Sequence, residues 1–169
     1  MRALMCATLL SVGLLGCGGD SSGPDEVFPD AAGVYNVTGS FDDLSASVAH
    51  FEGTLTLTQA SRESGTLGGS AAYLATIGDE VVNLTDDAIN EAAISPTGVI
   101  SFSLVDPSGS WTFTGTLSGT TIINGRHTIS SGSSSYSGGW SATTATASIQ
   151  PRTSAVTLSL KGLAERLAR

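Results

Sequence analysis

The sequence has few charged residues, and basic residues are the scarcest of them. Only 13% of its 169 residues are charged, and lysine and arginine together number seven. Long helices normally carry many Lys, Glu and Arg residues on their solvent-facing side, so this composition favours strands and turns. The formal net charge of −8 and the lack of a basic stripe argue against a nucleic-acid partner. The length suits one domain and is short for two.

Residues that commonly carry catalysis or bind metals are also scarce. His50 and His127 are the only histidines, and no cysteine follows Cys17. No Gly-x-Ser-x-Gly elbow, zinc-type spacing or phosphate-binding loop is present. Adjacent acids occur, but without the alternating ligands of a calcium loop, which favours exposed turns. These pairs are Asp42-Asp43, Asp79-Glu80 and Asp86-Asp87. The sequence therefore predicts a protein that is not an enzyme and has no catalytic residue, metal site or cofactor.

The longest apolar segment lies at the amino terminus. It follows Arg2 and extends from Ala3 to Leu15, too short to span a bilayer as a helix. Its length and positive start are typical of a secretory signal peptide. The segment ends in Leu14-Leu15-Gly16-Cys17, which resembles the lipobox of bacterial lipoproteins. The resemblance implies a signal peptide over residues 1–16, cleaved after Gly16, and acyl chains such as palmitate on Cys17.

The same resemblance implies a location. A protein lipidated at Cys17 is exported and held on a membrane of the cell envelope, and two or three acyl chains make a durable anchor. Gly18 stands where many inner-membrane lipoproteins have Asp, which favours the outer membrane if the cell is Gram-negative. An ordinary secretory signal that happens to end in Cys is the alternative. Residues 17–32 are rich in Gly, Ser, Pro and acids and predict a flexible linker after the lipidated Cys.

Alternation of apolar and polar residues dominates the body of the chain, residues 33–148. Trp111, Phe113 and Leu117, for example, share one side of a predicted strand whose other side is Thr and Ser. Turn signals divide the body into about eight strands. The expected spans are 33–41, 50–59, 64–74, 80–85, 89–95, 98–105, 110–118 and 121–129, with a last strand near 135–147. The short links predict an all-β fold, a small antiparallel up-and-down β-barrel.

A glycine recurs on the inward side of these strands. Phe51-x-Gly53-x-Leu55, Phe113-x-Gly115-x-Leu117 and Tyr136-x-Gly138-x-Trp140 share the order aromatic, glycine, large residue. Glycine weakens a strand, so its recurrence suggests a geometric use, namely the relief of crowding inside a tightly coiled sheet. A general drift of composition toward glycine is the alternative.

The opening Gly33-Val34-Tyr35, the short hairpins and Trp140 in the last strand resemble the calycins, the group of lipocalins and avidins. The resemblance implies a β-barrel fold. A barrel of about eight strands is just wide enough to be filled by side chains or to hold one small ligand. Tyr35 stands where lipocalins have Trp, and the residues that contact biotin in avidins have no match. Four side chains are candidates for contacting a ligand, with packing in the core as the alternative. They are His127, Trp111, Trp140 and Tyr73.

The carboxy-terminal tail, residues 149–169, differs from the body. Apolar residues at helical spacing lie beside basic ones there, as in a short amphipathic helix that could touch an anionic membrane. The apolar residues are Leu160, Leu163, Ala164 and Leu167. So short a helix is marginal alone in water, so a frayed terminus is the other expectation.

Taken together, these patterns predict a membrane-anchored lipoprotein whose soluble barrel could bind a small apolar ligand. The alternative is a protein-interaction module, such as an inhibitor of a periplasmic or surface protease or lysozyme. The signatures of lysozyme inhibitors, including their disulfide, are absent from the body.

Overall fold

The computed structural model describes residues 27–42, 44, 49–145 and 156–169, leaving out the side chains of 85–87. Within these ranges the protein is nearly all β, with ten strands and one short helix. The predicted signal peptide, the lipidation site and the first part of the predicted linker lie outside the described residues.

The strands follow one another through short connections. They are β1 Gly33–Ser40, β2 Ala49–Gln59, β3 Leu67–Ile77, β4 Glu80–Ala88, β5 Asn90–Ile94, β6 Val99–Asp106, β7 Gly109–Ser118, β8 Thr121–Ser131, β9 Ser134–Thr144 and β10 Val156–Thr157. The helix α1 spans Leu160–Leu167. Each of the nine predicted strand spans therefore corresponds to a strand, with ends that differ by about three residues or fewer.

All ten strands belong to one sheet, in the order β10-β4-β3-β2-β1-β9-β8-β7-β6-β5. This sheet curls into a half-barrel in which β1 pairs with both β2 and β9. Neighbours are antiparallel except β10, which runs parallel to β4, so the sheet is mixed where a purely antiparallel one was expected. In an up-and-down barrel β4 and β5 would pair with each other. In this sheet they do not, so the strand order departs from the expected one at this point.

The interruption between β4 and β5 comes from a change of partner. β4 pairs with β3 as far as Ser70↔Ala88, after which the chain turns and β5 pairs with β6 from Asn90↔Ser103 onward. The chain stays close to β3 beyond this point. The amide of Ile89 donates to the carbonyl of Gly69 at 3.2 Å, and an isolated bridge joins Thr66 and Ala93.

The carboxy-terminal helix covers one end of the half-barrel. Ser159 caps α1 by accepting a hydrogen bond from the amide of Gly162, as N-cap serines commonly do. The four apolar residues predicted at helical spacing are all buried in the core. Asp106 accepts a hydrogen bond from the amide of Leu160 at 2.7 Å, and Arg166 pairs with Glu80. The tail from residue 156 onward is thus packed, and the expectation of a frayed terminus is wrong there.

The opposite end is covered by residues 27–32, here called the N-terminal strap. The amide of Phe28 donates to the carbonyl of Arg62 at 2.8 Å, and the amide of Ala31 donates to Gln59 Oε1 at 3.0 Å. Ala31 is fully buried. The strap was predicted as the last part of a flexible linker, but these contacts fix it against the sheet.

Inward glycines lie directly opposite the largest rings on neighbouring strands. The cross-strand partners are Gly39↔Phe51, Gly53↔Tyr73, Gly138↔His127 and Gly125↔Trp140. A Cβ atom at Gly138 would overlap the carbonyl oxygen of Ser40 and lie 2.7 Å from His127 Nε2. The space that glycine leaves is therefore occupied by an aromatic ring, in agreement with the use expected from the repeat.

Substitution of Gly138 by alanine tests this packing. We expect Gly138→Ala to lower the free energy of unfolding by about 1–3 kcal/mol, the usual range for overpacking a dense core. Gly139→Ala is the matched control, because a Cβ there meets only Gly125 O, at 3.9 Å, and should change stability by less than about 0.5 kcal/mol. Urea denaturation of both variants measures the difference, and equal effects would contradict the packing argument.

Candidate functional site

His127 lies at the centre of the half-barrel, on β8. Its ring is 1% exposed and both ring nitrogens are hydrogen-bonded. The indole Nε1 of Trp111 lies 3.1 Å from Nδ1, and Nε2 lies 2.9 Å from the carbonyl oxygen of Ser40. Because an indole nitrogen can only donate, Nδ1 must accept, and the proton is on Nε2, which donates to Ser40. The geometry thus requires the neutral form of His127.

Aromatic rings surround this histidine on several sides. Phe41 and Phe51 meet its ring edge to face, with centroids 5.1 Å and 4.9 Å away. Trp111 and Phe113 pack together at 4.9 Å, and Phe113 stacks on Phe102 at 4.8 Å. Such pairs add about 0.5–1.5 kcal/mol each beyond the burial of their area. The rings therefore pack against one another around His127.

The four predicted ligand-contacting residues all belong to this aromatic cluster. Trp111 is fully buried, Tyr73 and His127 are each 1% exposed, and Trp140 is 5% exposed. Tyr73 packs on Trp111 and Phe113, and Trp140 packs on Phe113. The structure therefore brings the four together, as the inward pattern suggested, and packs them as a core. That they contact a ligand stays a prediction.

Tyr73 differs from its neighbours in having an unsatisfied polar atom. Its buried hydroxyl has no hydrogen-bond partner among the described residues, and burial raises the pKa of the phenol. By contrast, Trp140 Nε1 donates to the carbonyls of Thr114 and Arg126, at 2.9 Å and 3.1 Å. Buried polar atoms normally find a partner, so among the described residues the Tyr73 hydroxyl is unusual, as is Asn36 Oδ1, which also lacks one.

Arg126, the residue before His127, points outward and binds the chain just after the end of β1. Arg126 forms a double hydrogen bond and ion pair with the carboxylate of Asp42. This bond is the main reason that the pKa of Asp42 lies below its usual value. His127 binds Ser40 from inside and Arg126 binds Asp42 from outside, so adjacent residues of β8 fix the end of β1 from both faces. Arg126 is therefore directed to the solvent side of β8, opposite to His127.

Two further residues contribute to this arrangement. Phe41, which follows β1, continues the apolar face of that strand, and Asp106, at the end of β6, contacts α1. Burial alone would raise the pKa of Asp106, but hydrogen bonds from Ser108 and the amides of Leu160 and Gly109 lower it overall. Phe41 had the alternation of β1 as a signal. The role of Asp106 as a contact for α1 depends on a distant segment and has no local signal.

Two surface depressions lie outside the aromatic cluster. One, of about 370 Å³, is lined largely by serines of the β8–β9 turn together with Lys161 and Glu165 of α1. The other, of about 320 Å³, is a shallow groove along β1 and β9 that Trp140 borders with Thr38 and Gly139. Within the part of the chain that the structure describes, no group of three or more His, Cys, Asp and Glu residues could hold a metal ion.

The predicted acidic pairs take different places. Asp42 binds Arg126, and Glu80 pairs with Arg166 of α1. Asp43 and the side chains of the pair at 86–87 lie outside the described residues. None of the helices in the described ranges is both long and apolar enough to cross a bilayer.

Comparison with known proteins finds no similar protein. No protein-family model, curated protein or solved structure matches the chain. Functional inference therefore depends on the residues and geometry of this chain alone.

The unpartnered hydroxyl of Tyr73 generates one prediction. We expect Tyr73→Phe to raise the free energy of unfolding by about 1 kcal/mol, because it removes a buried hydroxyl that pays its desolvation cost without a hydrogen bond. Tyr35→Phe is the matched control, since the Tyr35 hydroxyl donates to the carbonyl of Ala31 at 3.0 Å. It should lower stability by about 1 kcal/mol. A loss of stability in Tyr73→Phe as large as in the control would show that the Tyr73 hydroxyl has a partner inside the protein.

The neutral state of His127 generates a second prediction. Burial, which is the largest cause, lowers the pKa of folded His127 below its ordinary value of 6.5, and the nearby Arg126 lowers it further. The unfolded chain then binds a proton more readily, so stability is full above about pH 6.5 and falls as the pH decreases through the folded pKa. The slope contributed by this group cannot exceed about 1.4 kcal/mol per pH unit, the value for one proton.

Denaturation by urea between pH 8 and pH 5 measures this dependence. His127→Gln keeps a donor and an acceptor but does not titrate, so its stability should vary less with pH than that of the wild type. His50→Gln leaves His127 in place and should keep the wild-type dependence. An unchanged slope in His127→Gln would show that another group causes it.

Proposed function

We propose that this protein is an exported lipoprotein, anchored by acyl chains on Cys17, whose β domain acts by binding another protein through its outer surface rather than by catalysis. The observation that carries the second part is the aromatic cluster, whose rings are buried and pack against one another. The four side chains that a calycin-like barrel would offer to a ligand belong to this cluster, and α1 and the strap pack at the two ends of the half-barrel.

The outer surface supports the same proposal. The outward sides of β7 and β8 carry Thr112, Thr114, Arg126 and Thr128, and the hydroxyls of Thr112 and Thr114 reach the carbonyls of the next strand at 3.4–3.5 Å. These side chains project from strands that are paired along their length and joined by a short hairpin. A polar surface on a paired backbone suits recognition of a folded partner, because little backbone entropy is lost on binding.

A second candidate function is binding of a small ligand by a calycin-like barrel. The buried, unpartnered hydroxyl of Tyr73 favours it, since a small polar molecule beside this hydroxyl would satisfy it. Trp140, which borders the groove between β1 and β9, is the nearest of the four candidate residues to the surface. The Tyr73→Phe measurement described above bears directly on this candidate.

Lipidation is tested by substitution of Cys17. In a bacterial host supplied with labelled palmitate, the wild type should incorporate the label and enter the detergent phase of Triton X-114, whereas Cys17→Ala should do neither. Cys6→Ala is the matched control, because Cys6 lies within the predicted signal peptide and its loss should leave labelling unchanged. Labelling of Cys17→Ala, or absence of label in the wild type, would refute the anchor.

Two binding measurements separate the candidate functions. Stoichiometric inhibition of a secreted protease or of a lysozyme by the purified protein would support the protein-binding proposal. Native mass spectrometry and thermal shift against a library of lipids and metabolites would support the second candidate, if a compound adds its mass and its effect is lost in Tyr73→Phe.

A further inference from the structure

The two ends of the half-barrel differ in chemical character. The strap end consists of the N-terminal strap, the β2–β3 loop, and the turns at 95–98 and 119–120. Hydrogen bonds join the strap to Arg62 of that loop, and Pro29 of the strap approaches Gly98. The helix end consists of α1 with the turns at 78–79, 107–108 and 132–133, because alternate turns of antiparallel strands share an end.

Exposed apolar side chains concentrate at the strap end. Val99 and Ile123 follow the two turns of the strap end and are 46% and 40% exposed. Val34, at the start of β1, is 37% exposed. Val99 and Ile123 flank the same residue of β7, Thr116, so they belong to one row across the sheet. Val27, the first described residue, is 58% exposed and lies at this end too.

Charge is distributed in the opposite way. In the described residues of the strap, the β2–β3 loop and the two turns, the charged side chains are Asp30, Arg62 and Glu63. The connection from β4 to β5, which stays close to Thr66 and Gly69, adds Glu91. The helix end carries Asp79, Glu80, Asp106, Lys161, Glu165 and Arg166, among others. Two exposed valines, Val105 and Val156, also lie toward that end. These two valines lie next to the charged side chains of the helix end. Contact between the valines and a lipid headgroup region would require desolvation of those charges.

The position of the chain at residue 27 links these observations to the proposed anchor. Nine residues separate Cys17 from Val27, so Cys17 can lie at most about 35 Å from Val27 even with the linker fully extended. The helix end lies farther from Val27 by the length of the strands. The linker thus brings the less charged, more apolar end to the membrane first.

We propose that the domain stands with its strap end on the lipid bilayer, with Val34, Val99 and Ile123 against the headgroup region and α1 facing away from the membrane. This inference rests on the proposed lipid anchor at Cys17. It assigns the helix end and the sides of the sheet as the surfaces open to a partner, and it places the basic residues of the tail away from the membrane.

The absence of cysteine after Cys17 allows a clean test with single labels. Full-length lipidated protein carrying Val99→Cys is labelled with an environment-sensitive fluorophore and reconstituted into phosphatidylcholine vesicles that contain a headgroup nitroxide lipid. Ser133→Cys, in the β8–β9 turn at the helix end, is the matched control. Ile123→Cys gives a second position at the strap end if Val99→Cys lowers stability.

We expect quenching by the nitroxide to be several-fold greater at position 99 or 123 than at position 133, with a blue shift only at the strap end. Equal quenching at both ends, or stronger quenching at position 133, would overturn the orientation. Protection of the strap end that depends on protein concentration, without nitroxide quenching, would show contact with a second copy and would also overturn it.

Vesicle flotation separates failure of this inference from failure of the anchor. If the wild type floats with the vesicles but a label at position 99 shows neither nitroxide quenching nor a blue shift, the orientation is wrong and the lipid anchor stands. If the protein does not float and behaves as Cys17→Ala does, the anchor is refuted and the orientation falls with it.

Discussion

The structure depends on one packing constraint: large rings fit inside this small curled sheet because glycines lie opposite them. Tyr73, His127 and Trp140 each face a glycine on the neighbouring strand. A side chain in place of such a glycine would collide with the ring or with backbone, as the space at Gly53 and Gly138 shows. The glycines weaken their strands individually, but they allow a dense aromatic core that buries far more apolar surface than an alanine-lined interior could.

This core has consequences for stability and for function. No cysteine follows Cys17, so no disulfide can cross-link the body, and the fold is held by burial and by the sheet hydrogen bonds. The polar groups at the centre are few and, apart from Tyr73, those of the ring cluster are paired. Because the four candidate ligand-contacting side chains belong to this core, their contact with a ligand stays a prediction.

Much of the fold could be predicted from the sequence, because the signals are local. The alternation that places Phe51, Leu55 and Phe113 inward, together with the Gly and Pro turns, was enough to locate nine strands. Where pairing departs from that pattern, the cause is non-local. The change of partner after Ala88 and the parallel pairing of Val156 with Val82 depend on segments far apart in the chain.

The candidate site shows the same division. His127 lies two residues from Gly125 and from Ile129 in β8, so strand alternation directs it inward, and it is buried. Its partners could not be predicted, because the bond to Ser40 spans 87 positions of sequence and the bond to Trp111 spans 16. Likewise, the sequence of the tail shows a helical spacing of apolar residues. It does not show that Asp106 and Glu80 bind the helix.

The arrangement around β8 connects the interior with the outside of the protein. His127 and Arg126 are adjacent, point to opposite faces, and bind Ser40 and Asp42 respectively. Because a strand directs successive side chains to opposite faces, β8 holds the chain at and after the end of β1 from the core side through His127 and from the solvent side through Arg126. The two contacts differ in strength. The bond from His127 to Ser40 is buried, whereas the Arg126–Asp42 pair is exposed and, like most surface ion pairs, contributes little to stability by itself.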